Sequence, residues 1–147
     1  MRSGSSSAEV HADLARVRDR TLVLVSHLSA AELERPVDPI LSPLVWDLAH
    51  IAMFEDLWLC HRLRGFGLLR PELAATYDAL ETPRAARHEL SLLGAAESYA
   101  LLADVRARVL AALGEVEPGD VEIVELVIRH ELQHTETMRQ AMFLAGM

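Results

Sequence analysis

The sequence predicts an all-α fold, a four-helix bundle with a long crossover between its second and third helices. Two observations carry this expectation. Leucine, alanine, glutamate and arginine dominate, all residues of high helix propensity, and almost no stretch alternates apolar and polar residues as a half-buried strand would. Apolar residues recur instead at helical spacing in four long segments, parted by glycine- and proline-containing turns.

The first segment runs from about Ser7 to Leu28. Val10, Leu14, Val17, Val25 and Leu28 share one face, Ser7 is placed to cap its start, and residues 1–7 read as a disordered lead. The second begins at Ser42-Pro43, a cap residue followed by proline at the first helical position, and continues through WDLAHIAMFEDLWLCHRL to Gly65. From Gly65 to about Leu90 the pattern breaks into GFGLLRPELAATYDALETPRAARHEL, a long crossover with room for a short helix. The third helix covers about Ala95 to Leu113 and stops at Gly114. The EVEPGD turn then leads into the fourth, with Asp120 as its cap and an end near Leu144. A helix of that length spans about 37 Å, the full height of a bundle.

At 147 residues the chain fits a single domain, residues 1–147, and its 51% apolar content suffices for a continuous core. Acidic residues number 22 against 14 basic ones, all arginine, so the surface is expected to be anionic and to repel nucleic-acid backbones. No stretch reaches the roughly 18 uninterrupted apolar residues of a membrane span. The start MRSGSSSAEV lacks the apolar region of a secretory signal, and the single Cys60 reads as a small buried hydrophobe. Both point to a cytoplasmic protein.

The chemistry lies in the histidines. His130 and His134 stand one helical turn apart within RHELQHTET, so their rings project from one face, which also carries Ile123, Val127, Met138 and Ala141. Burying two imidazoles there without partners costs a few kcal/mol, and a divalent metal removes that cost by coordinating both. His50 is the natural third ligand, on a stripe with Trp46, Phe54 and Leu57. His11, His27, His61 and His88 have no partner at chelating spacing and read as ordinary histidines.

The pair also spells HExxH, the zinc-peptidase signature. That reading is set aside. Thr137 and Gln140 stand where one peptidase class needs glycine and a third histidine, no sheet is available to bind a peptide, and Glu131, rotated about 100° from His130, reads as a solvated helix residue. Asp47 and Glu55 are read as structural, Asp47 answering the free amides of its helix's first turn, and Trp46 and Trp58 as core.

With these residues in hand, the chain resembles the DinB-like metal-binding bundles, whose pattern is one histidine on the second helix and a HxxxH pair on the last. More narrowly, LSPLVWDLAHIAMFEDLWL together with IRHELQHTETM resembles the amino-terminal domain of the ergothioneine-pathway sulfoxide synthases, the EgtB group. The resemblance implies a non-haem iron(II) held by His50, His130 and His134, with zinc or nickel as alternatives that the ligands alone would also suit. It implies dioxygen activation that joins a small-molecule thiol to trimethylhistidine. It further implies that Gln133 contacts trimethylhistidine and that Arg84 and Arg87, in PRAAR, grip the carboxylates of the thiol substrate. Those synthases carry a second domain of the formylglycine-generating-enzyme type, which these 147 residues do not match, so a separate domain of that type is an expected partner. Tyr77 and Tyr99 match no catalytic position.

Two other readings stand beside this one. The chain could be a stand-alone DinB-like transferase or isomerase that uses a metal and a thiol, or a helical interaction module without enzymatic activity. The apolar crossover GFGLL leaves homodimerisation open.

Overall fold

A computed structural model describes residues 6–147. Among them the fold is all-helical: α1 (Ser7–Val25), α2 (Ala30–Glu34), α3 (Leu44–Glu55), α4 (Ala95–Leu113) and α5 (Val121–Ala145). The four long helices form the expected bundle, with α3 packed against both α4 and α5, and α1 against α5. No helix of the described residues is long and apolar enough to cross a membrane.

Local chemistry sets most helix ends. Ser6, not Ser7, caps α1: with extended backbone it accepts a hydrogen bond from the Glu9 N–H at 3.2 Å. The expected disordered start is thus corrected at Ser6 and Ser7, while its residues 1–5 lie outside the described residues. The helix stops at Val25, earlier than expected, and the short α2 follows, opened by a capping box between Ser29 and Glu32. Helix α3 begins at Leu44 with Pro43 at the cap position, one residue before the expected first-turn place, so Ser42 is released for another partner. Helix α4 ends at Gly114, whose φ of 51° favours glycine, and α5 follows Asp120. The Asp120 carboxylate pairs with Arg64 at 2.7 Å and accepts the Glu117 N–H, so it ties two elements together instead of capping α5.

Helix α3 continues into a π-helical stretch, Asp56–Arg62, whose wider turns are visible in the Leu63 N–H reaching back to the Trp58 carbonyl. Leu44 to Met53 are all buried, which makes α3 the central helix. Around it pack Leu14 and Val25 of α1, Leu102 and Val105 of α4, and Val127 and Met138 of α5. Each large side chain so enclosed contributes about 1.5–3 kcal/mol.

One cluster of charges joins α1, α3, α4 and α5 through this core. Arg18 donates from Nε to Glu131 at 2.9 Å and from Nη2 to Glu55 at 3.2 Å, Arg106 donates to Glu55 at 2.9 Å, and Thr21 donates to Glu131 at 2.7 Å. Glu131, expected in solvent, is 1% exposed. The reason is tertiary: α1 and α4 each deliver an arginine to the face of α5 on which Glu131 stands. Two cations and two carboxylates balance, which is the condition for tolerating charge at this depth.

The crossover, residues 65–94, contains two single 3₁₀ turns, Pro71–Leu73 and Arg84–Ala86. It is pinned to the bundle by the Trp46 indole, which donates to the Thr76 carbonyl at 3.0 Å, and by the Tyr77 hydroxyl, which accepts the Leu93 N–H at 2.8 Å.

Candidate metal centre

His50 stands in the middle of α3, and His130 and His134 stand one turn apart on α5 where the two helices pack. Among the described residues, these three are the group of side chains gathered closely enough to hold a metal ion, with one ligand atom from each lying within 4.8 Å of the others. His50 Nε2 is 2.9 Å from His130 Nε2. Around an ion with metal–nitrogen distances of about 2.0–2.1 Å, neighbouring ligand nitrogens sit roughly 3 Å apart, so the spacing fits.

Each ring is oriented by a neighbour. His50 donates from Nδ1 to the Tyr77 carbonyl at 2.6 Å, which leaves a lone pair on Nε2. His134 donates from Nδ1 to Asp47 at 2.9 Å, which likewise leaves Nε2 free. His130 lies flat on Phe54, centroid to centroid 3.6 Å and 6° between planes. Trp46 stacks on the other side of the cluster against His50, at 4.6 Å and 14°. Asp47 is therefore not a first-turn cap, as its position near the helix start suggested, but the partner of a ligand-type histidine on another helix.

The environment keeps the His50 and His130 rings neutral. Burial pushes His50 down to about 4, aided by the nearby His134 and Arg87 and opposed by the Tyr77 carbonyl. Burial pushes His130 down to about 2, with His134 and His50 adding to the effect. Burial raises the Asp47 carboxyl, partly offset by its bond to His134 and by the fields of His134 and Arg87. At neutral pH, His50 and His130 thus offer nitrogen lone pairs without first losing a proton.

The three histidines line an open cavity of about 680 Å³. Most of its wall is apolar, including Met53, Phe54, Leu57 and Trp58, with Arg62 and Asp78 among the charged groups. The Arg62 guanidinium stacks on Trp58 at 4.3 Å from the ring centroid. Trp46 is wholly buried, as expected of a core residue, whereas Trp58 is half-buried and faces the cavity.

The other residues singled out from sequence lie elsewhere. Gln133 and Arg84 are exposed, and neither is on the cavity wall. Arg87 is buried against Trp46, Ser42 and Thr82. Sequence reasoning missed Asp47, Phe54 and the Tyr77 carbonyl as supports of the cluster. Phe54 carried a usable signal, since it stands four residues after His50 on the same stripe.

Comparison with known proteins agrees with this architecture. Residues 13–138 match the sequence profile of the DinB superfamily. The chain belongs to the DinB superfamily. Within it, the chain is 47% identical over 146 residues to a protein named hercynine oxygenase from Mycobacterium tuberculosis, covering 95% of this chain and 33% of that protein. It is also 47% identical over 143 residues to the hercynine oxygenase of Mycolicibacterium thermoresistibile, covering 93% of this chain and 31% of that one. This DinB-superfamily chain therefore spans about a third of the length of the relatives it matches.

Proposed function

We propose that this chain is the metal-binding part of an iron(II)- and dioxygen-dependent oxygenase that acts on hercynine, which is trimethylhistidine, and joins it to a small thiol as a sulfoxide. The observation that carries this reading is the convergence of three imidazoles on an open apolar cavity, in a chain 47% identical to a protein named hercynine oxygenase. His50, His130 and His134 are the residues that would hold the ion. Iron bound there would supply dioxygen activation, and three neutral imidazoles leave coordination positions for substrates.

The remaining work falls to the chain's own groups. Asp47, Phe54, Trp46 and the Tyr77 carbonyl hold the ligand rings in place, so little reorganisation is needed on binding. The apolar wall formed by Met53, Leu57 and Trp58 limits water beside the reacting groups. Gln133 and Arg84 are exposed and available to meet hercynine and a carboxylate of the thiol. Because both lie off the cavity wall, this reading includes a further domain, of the formylglycine-generating-enzyme type, that closes over the opening and completes the pocket.

The test is anaerobic reconstitution of the purified chain with iron(II). One iron per chain is expected, with binding abolished by His130→Ala combined with His134→Ala. No binding, or binding that survives the double substitution, overturns the reading. The donor set also favours a second reading, a zinc- or nickel-dependent thiol transferase. Metal content of protein purified without chelating resin separates the two, since zinc or nickel in place of iron supports the second.

A further inference from the structure

Arg87 is 5% exposed, although it lies in a crossover rather than a helix core. Burying a guanidinium is costly unless its fork is engaged. Here Nε donates to the Thr82 carbonyl at 3.0 Å and Nη1 donates to the Ser42 hydroxyl at 2.7 Å. The guanidinium carbon lies 3.5 Å from the Trp46 ring centroid. The indole in turn stacks on His50, and its N–H is held by the Thr76 carbonyl, so the ring is fixed at both its edge and its two faces. Arg87, Trp46 and His50 therefore form a continuous stack from the crossover to the metal cluster.

We infer that Arg87 is a positioning residue for the metal centre, acting on His50 through the indole of Trp46. The inference rests on the three-histidine metal reading above. An apolar residue at position 87 would uncover one face of Trp46, and the His50 ring stacked on that indole would lose its fixed orientation.

The test is titration of the 147-residue chain with cobalt(II), whose visible absorption reports both affinity and ligand geometry. Arg87→Met should weaken binding by about tenfold or more, in the range typical when a residue supporting a ligand is lost. It should also alter the cobalt spectrum at saturation, with helical circular dichroism retained. Arg87→Lys, which keeps the charge but not the planar stack, should fall between the two and serves if the methionine variant does not fold. Adding Arg87→Met to Trp46→Leu should cost less affinity than Arg87→Met costs alone, because its action passes through the indole. If the folded Arg87 variants bind cobalt as tightly as the unsubstituted chain with the same spectrum, the inference is overturned while the metal reading stands. If the unsubstituted chain itself binds no cobalt, the metal reading fails and the inference with it.

Discussion

Asp47 accepts a hydrogen bond from Nδ1 of His134 at 2.9 Å, across the contact between α3 and α5. Asp47 is three residues before His50, so one turn of α3 both supplies a ligand-type imidazole and orients another that comes from α5. The bond leaves Nε2 of His134 facing the cluster and makes the ring a better electron donor.

Replacing this carboxylate should therefore act on the metal rather than on the fold alone. Asp47→Ala should weaken cobalt(II) affinity by about 10- to 100-fold. Asp47→Asn, whose amide oxygen can still accept from Nδ1–H, should weaken it less. Equal affinity in the unsubstituted chain and the alanine variant, measured by titration at neutral pH, would show that Asp47 does not support the site.

Acid should destabilise the metal-free protein, with a definite sign. An unfolded histidine takes up its proton near pH 6.5, whereas folded His50 resists until about 4 and folded His130 until about 2. Below 6.5 the unfolded chain binds more protons than the folded one, so stability falls as the pH drops from about 6.5 toward 4. Urea unfolding at several pH values in this window should show that slope, and His130→Leu should make it shallower. A slope unchanged by His130→Leu would mean that His130 is not held neutral by its surroundings.

Glu131 should matter for stability more than for metal binding. Glu131→Gln leaves Arg18 and Arg106 sharing one carboxylate, Glu55, inside the core. Breaking such a buried pair costs about 3–5 kcal/mol. Denaturant unfolding should register a loss of that order, while cobalt affinity is retained where the variant is folded. A variant as stable as the parent chain would show that the buried charges contribute nothing to holding the helices together.

The parts of this protein that were legible in its sequence are those governed by neighbours close along the chain. Helix α4 was readable from its apolar period and its terminal glycine, and the HxxxH face of α5 from the 3.6-residue turn, because both depend on residues a few positions apart. The inward stripe bearing His50 was readable for the same reason, and so the three histidines could be named before the helices were seen to bring them together. The short α2 went unread, since five residues show no period, although the Ser29–Glu32 capping box that opens it is a local signal.

Only the tertiary structure decided what those residues touch. Asp47 looked like a helix-start carboxylate because its real partner, His134, is 87 residues away. Glu131 looked solvated because the arginines that surround it come from α1 and α4. Arg87 was read only as a substrate-gripping arginine, and its place against Trp46, 41 residues earlier in the chain, left no local trace. Local spacing determines which side chains share a face, and that much a single sequence carries. Which face meets which, and therefore whether a charge is solvated, neutralised or used to hold a ligand ring, depends on packing between segments whose separation along the chain leaves no periodic trace.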